Sequence, residues 1–272
     1  MIFGGQGYDS VVRPAWSLTD SFVPVVATAI HAGHDLRPAV ASCIALDDST
    51  RLREEDPFTD RLTSVGGSTV VVHRSRFEVD LNRPRDAAVY QTPEDAWGLE
   101  LWRETPDADE IERSRLLYDD FYFEFGRRLD ALAERGPFVV LDLHSYNHRR
   151  DGADEPPAPD ATNPEVNVGT GALDRVRWSR VIDRFLETLA AQKVCGHRLD
   201  VRENVRFRGG ELCRWVERRS RGRGCALAIE FKKVFMDEWT GELDERHLEE
   251  LRNALAVVVP ALIEDVRCSA PT

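Results

Sequence analysis

Two apolar runs in this chain end in histidine. Pro24 to Ile30 leads directly into His31, and Phe138 to Leu143 into His144. Both runs contain β-branched residues and have the length of strands buried on both faces of a sheet. The carboxyl end of such a strand is where open α/β sheets carry their chemistry, and Ala32-Gly33 provides a tight turn there. Either histidine alone reads as structural. Parallel neighbours would instead bring both imidazoles to one edge. Two histidines and a carboxylate are a common catalytic zinc set, with one position left for water. The carboxylate could be Asp56, at the start of the crossover segment after the first strand, with Glu55 as its competitor. His34, three residues beyond His31, is a further candidate ligand. The plainer readings are a helix cap for Asp56 and a solvated loop position for His34.

Glu230 lies inside the apolar run CALAIEF. A carboxylate there is expensive unless paired or used. One reading pairs it with Lys232 or an arginine. The other makes it a general base that takes a proton from the attacking water and returns it to the leaving amine. Asp142, two residues before His144, faces away or supports a histidine from behind. The stretch His73 to Asp86 holds more charge than a buried segment carries unpaired. Within it Arg76, Asn82 and Arg83 could bind a carboxylate or stabilise an oxyanion. Arg53, Arg74 and Arg85 read as surface charge.

The elements that must position these residues alternate between strand and helix patterns. Strands are expected over Pro24–Ile30, Thr69–Val72, Phe138–Leu143, His197–Val201 and Cys225–Phe231. Helices are expected over Ser114–Arg135, Leu173–Lys193 and Asp244–Val266, the last open to a bend at Pro260, with a short one starting at Asp56-Pro57. Residues 1–20 read as an irregular lead-in, Trp97 and Trp102 as packing anchors, and residues 147–172 as one long loop, lid or simply mobile. This order implies an α/β fold, a three-layer α/β/α sandwich with a central mixed, mostly parallel sheet.

At 272 residues and 42 % hydrophobic, the chain suits one domain over residues 1–272. The net charge of −12 argues against nucleic acid or an anionic membrane as partner. A small anionic substrate would need arginines concentrated locally. Five cysteines without a CxxC spacing suit a reducing compartment and exclude a cysteine zinc site. With no signal-like start and no bilayer-length apolar run, the expected location is cytoplasmic.

Six segments in order, Phe22–Pro38, Arg53–Leu62, Ser75–Pro84, Leu141–Ser145, Asn204–Gly210 and Ala228–Phe231, resemble the N-formylglutamate amidohydrolase family. The most specific is SRFEVDLNRPR; HAGH, DPFTDRL, DLHS and RFRGG support it as an ordered set. That family is related to zinc carboxypeptidases and aspartoacylases. The resemblance implies one zinc per chain held by His31 and His144, with Asp56 as the matching acidic ligand. It makes Glu230 the catalytic glutamate, Arg76 the oxyanion arginine, and Asn82-Arg83 the pair holding a substrate carboxylate. His34 stands where zinc carboxypeptidases carry a glutamate ligand. Glu54-Glu55-Asp56 replaces the deformylases' acid-threonine-acid pattern, which suggests a subgroup whose substrate need not be N-formylglutamate. The implied activity is hydrolysis of a small N-acyl amino acid. A carboxypeptidase-like hydrolase of small peptides or cell-wall fragments is the second reading, and a non-catalytic relative the third.

Overall fold

The apolar runs form the inner strands of one sheet in the computed structural model, which describes residues 13–268. In chain order the strands are β1 (Trp16–Thr19), β2 (Val25–Ala29), β3 (Ser68–Val72), β4 (Phe138–Tyr146), β5 (Val166–Gly169), β6 (Lys193–Val194), β7 (His197–Arg198), β8 (Val201–Glu203) and β9 (Gly224–Lys232). The helices are α1 (Pro38–Cys43), α2 (Asp48–Glu54), α3 (Thr59–Leu62), α4 (Ala108–Ala133), α5 (Ser179–Ala190), α6 (Glu211–Ser220) and α7 (Glu245–Cys268). Seven strands make the central sheet in the order β1-β3-β2-β4-β9-β5-β8, and β6 pairs with β7 separately. The inner strands β3, β2, β4 and β9 are mutually parallel. β1 runs antiparallel on one side of them and β5 on the other.

Alternate residues of the central strands face opposite helical layers. Val139, Leu141, Leu143, Leu227 and Ile229 pack with Phe185 of α5 and Leu255 of α7. Val140, Ala226 and Ala228 pack with Phe125 of α4 and Val216 of α6. Every residue of β4 is buried, as required of a strand covered on both faces. A smaller core of Val40, Ile44, Phe77, Tyr90, Ala96 and Leu101 supports the connection after β3, which carries Arg76, Asn82 and Arg83.

Several sequence expectations shift. The lead-in expected over residues 1–20 falls partly outside the described residues, and its remainder contains the edge strand β1. The helix expected at Asp56-Pro57 starts later, because Phe58 takes a left-handed backbone (φ 68°) before α3. The loop expected over residues 147–172 contains β5. The strand expected at His197–Val201 divides into β7 and β8. Trp102 does act as an anchor, its Nε1 donating to the Tyr90 carbonyl at 2.9 Å. Trp97 is 45 % exposed, with its ring edge-on to Phe77 and Tyr90.

Candidate metal and active site

The carboxyl ends of β2, β4 and β9 meet at one edge of the sheet. His31 follows β2, His144 lies in β4, and Glu230 is in β9 directly opposite His144 in the parallel register. Gly33 lets the chain turn after His31, since a Cβ there would overlap the His73 main chain at the end of β3. Between α2 and α3, the Asp56 N–H donates to the His31 carbonyl at 2.9 Å, which brings the Asp56 carboxylate to the same edge. The ligand-capable atoms of His31, Asp56 and His144 all lie within 4.8 Å of one another, and all three residues are buried.

The two imidazoles are oriented alike. His31 Nε2 lies 2.7 Å from Asp80 Oδ1, and His144 Nε2 lies 3.0 Å from Asp142 Oδ2. Each carboxylate holds a ring from behind, fixing its tautomer and leaving Nδ1 facing Asp56. His144 Nδ1 is 2.9 Å from Asp56 Oδ2 and His31 Nδ1 is 3.5 Å away. His31 Nδ1 is buried with no hydrogen-bond partner. A buried polar atom left open costs about 1–3 kcal/mol, so this nitrogen is accounted for if a ligand meets it. Two nitrogen donors, each oriented from behind, and a carboxylate fit a divalent metal ion such as zinc.

Charge follows the same geometry. Burial opposes ionisation of Asp56, but the His144 hydrogen bond and the adjoining His144 and His31 imidazoles outweigh it and hold the carboxyl far below its ordinary value. Burial also opposes the proton on His144, yet Asp142 and Asp56 outweigh it and hold that imidazole well above its ordinary value. Glu230 is the reverse case. Burial, with Asp56 and Asp142 nearby, raises its carboxyl to about 7. Among the described residues no cation pairs with Glu230: Lys232 reaches Asp160 at 2.8 Å, and Lys233 donates to main-chain carbonyls.

A cavity of about 220 Å³ opens over this cluster. Arg76, Asn82, Arg150, Arg208, Glu230 and Lys233 line it together with the three candidate ligands. Arg76 donates to Asp80 Oδ2 at 2.9 Å and lies over the Trp97 ring. The Asn82 amide oxygen accepts from the Leu212 N–H at 3.0 Å, at the start of α6. A Cβ on Gly210 would collide with the Asn82 side chain, so the RFRGG segment closes on Asn82 because glycine stands there. Asn167 fastens the same segment, donating to the Phe207 carbonyl at 2.8 Å.

Residues 23–236 match the family described as N-formylglutamate amidohydrolase. The N-formylglutamate deformylase of Pseudomonas aeruginosa is 30 % identical over 209 residues, 71 % of this chain and 74 % of that protein. The chain belongs to the N-formylglutamate amidohydrolase family. It is therefore an enzyme of the amidohydrolase type. The crystal structure of N-formylglutamate amidohydrolase from Ralstonia eutropha JMP134 has the same fold, with a TM-score of 0.71 at 17 % identity over 93 % of this chain and 98 % of that one. A gene product of Agrobacterium tumefaciens is similar at a TM-score of 0.56 and 16 % identity, covering 94 % of each chain.

Around this cavity His31, Asp56, His144, Glu230, Arg76 and Asn82 come together. Three sequence candidates, His34, Glu55 and Arg83, stand apart. His34 Nδ1 lies 2.5 Å from Glu55 Oε2, and Glu55 also accepts from the Ser75 hydroxyl. His34 and Glu55 satisfy each other outside the His31–Asp56–His144 cluster. Arg83 lies behind the cavity wall: its guanidinium packs over the Tyr90 ring, 3.5 Å from Asp80, and donates to the Asp95 carbonyl. Asp80, Tyr90, Arg150, Arg208 and Lys233 were given no role from sequence. For Asp80 a signal existed, in the charge-rich segment that had to pair internally. Arg208 lies in the RFRGG motif, which marks the segment without assigning the residue a role; Tyr90, Arg150 and Lys233 reach the site through contacts between segments, and no local pattern marks them.

Proposed function

We propose that the protein is a zinc-dependent amidohydrolase acting on a small N-acyl amino acid, with N-formylglutamate the first compound to test. The observation that carries this reading is the convergence of His31, Asp56 and His144 on one buried point, with Glu230 facing the same cavity. In this reading one zinc per chain is held by His31, Asp56 and His144. The ion supplies Lewis acidity and lowers the pKa of water at neutral pH.

The chain's own groups do the rest. Glu230, unpaired and raised to about 7, is suited to take a proton from attacking water and pass it to the leaving nitrogen. Arg76, oriented by Asp80 and Trp97, donates to the developing oxyanion. Asn82 and the guanidinium of Arg208 on the cavity wall receive the substrate carboxylate. Arg83 supports them by fixing Asp80. The arginines that line the cavity, Arg76, Arg150 and Arg208, suit a small anionic substrate. The cavity's size favours such a substrate over a peptide, since about 220 Å³ lies below the roughly 300–1,000 Å³ that encloses drug-sized ligands.

Zinc analysis and an activity screen over N-acyl amino acids and dipeptides test the reading together. Zinc near one per chain with turnover of an N-acyl amino acid supports it. Peptide turnover alone moves the assignment to a carboxypeptidase-like hydrolase, and metal without any turnover moves it to a non-catalytic relative.

A further inference from the structure

Lys233 is a buried cation that the chemistry above does not use. It is 2 % exposed and lies against the cavity. An ammonium taken out of water costs several kcal/mol unless its N–H groups find acceptors. Its Nζ donates to the main-chain carbonyls of Arg53 and, at 2.7 Å, of Glu55. These lie at the C-terminal end of α2, where a helix leaves carbonyls unpaired and its dipole favours a cation. The next residue is Asp56, whose N–H donates to the His31 carbonyl. The Asp56 turn is thus held from two directions, by the end of β2 and by a side chain from the end of β9. Lys233 is itself anchored, its N–H donating to the Tyr146 carbonyl of β4 at 3.0 Å. Glu230 lies three residues earlier, so one strand end carries Glu230 and also fastens Asp56.

We propose that Lys233 is a positioning residue that fixes the Asp56 carboxylate against His31 and His144, and thereby sets the affinity of that cluster for a divalent metal ion. The inference rests on the zinc reading above. Its neighbour Lys232 provides the contrast, since its Nζ pairs with the exposed Asp160.

The test is zinc titration of the metal-stripped protein against a chromophoric chelator, using folded variants with matched circular dichroism. Lys233→Met keeps the length and removes the donors, and should weaken zinc binding roughly 10–100-fold, the usual cost of losing a partner outside the ligand set. Lys233→Arg restores a cation with several donors and should recover most of that loss. Lys232→Met should bind as the wild type does. If Lys233→Met does not fold, Lys233→Gln, shorter and neutral, must show the weakening. A merely structural lysine would lower the melting temperature and leave the zinc affinity of the folded protein unchanged. Wild-type affinity in folded Lys233→Met, or in Lys233→Gln where that is the variant that folds, overturns the proposal. His144→Ala run in parallel separates the two layers. If it loses zinc while Lys233→Met does not, only the role of Lys233 fails. If it keeps zinc, the zinc reading falls and the proposal with it.

Discussion

Glu230 occupies a place where an ionised carboxylate is costly, and its raised carboxyl makes two measurements informative. A proton shuttle replaced by Glu230→Gln should lower kcat roughly 10²–10⁴-fold with zinc content unchanged, because Glu230 is not in the proposed ligand set. Near-normal kcat at full zinc would remove it from the mechanism. The same variant reports on stability. The native carboxyl titrates near 7 against an ordinary 4.5, so the unfolded chain ionises first as pH rises. Native stability is therefore lost between those values, by on the order of 3 kcal/mol at most, less for the part of the side chain the cavity leaves accessible. The metal-free Glu230→Gln protein should melt above wild type at pH 8 and level with it at pH 4. A higher wild-type melting temperature at pH 8 would mean that the charge is paired. His144 has the opposite shift, held protonated by Asp142 and Asp56, and a metal ion must displace that proton. Calorimetry in buffers of differing ionisation enthalpy should find about one proton released per zinc at pH 7. No release would show a neutral His144 in the metal-free site.

At the scale of elements, the strands ending in His31 and His144 were legible because burial on both faces forces a continuous apolar run that a polar residue ends abruptly. β5 was hidden: four residues, VNVG, follow a stretch rich in proline and aspartate, and antiparallel pairing with β9 defines them. α6 was hidden too, because its apolar positions Leu212, Cys213 and Val216 lie within the charged run ELCRWVERRS. The start of α3 misled for a physical reason: the Asp56 side chain turns to the histidines and does not cap the helix. Arg83 and Arg208 show the same limit. SRFEVDLNRPR marks Arg83, yet the Arg83 guanidinium is engaged by Asp80, Asp95 and Tyr90. Among the described residues the Arg208 guanidinium has no hydrogen-bond or ion-pair partner, and Arg208 lines the cavity. Arg208→Ala should therefore raise KM for substrates with a free carboxylate roughly 10–150-fold, the worth of a charged hydrogen bond of about 1.5–3 kcal/mol. Arg83→Ala should act mainly on kcat, through Asp80 and the His31 ring it orients. A larger KM effect from Arg83→Ala would return the carboxylate to that residue.

On the scale of the whole molecule, a net charge of −12 works against an anionic substrate at long range. The cavity answers locally with Arg76, Arg150, Arg208 and Lys233 on its wall. No helix among the described residues is long and apolar enough to cross a membrane. Size is then the stronger filter. The long connection between β4 and β5 lies against the cavity: Arg150 pairs with Glu54 at 3.2 Å. Glu238 accepts the His148 N–H at 2.9 Å and also the Arg149 N–H, holding the start of that connection in place. Room for an acyl group must come from a space of about 220 Å³ that also holds the amino acid. Formyl and acetyl derivatives of one amino acid should have comparable kcat/KM. Each further methylene should then lower it, because overpacking a filled site costs roughly 1–3 kcal/mol, or about 5–150-fold. A series from formyl to hexanoyl on glutamate, measured as kcat/KM, checks this. A flat profile would mean that the connection opens on binding and that the closed cavity is not what selects the substrate. Arg150→Ala distinguishes the causes. Flattening the series only in that variant would trace the filter to the Arg150–Glu54 latch, and a series steep in both would assign it to the fixed walls around Asn82 and Phe207.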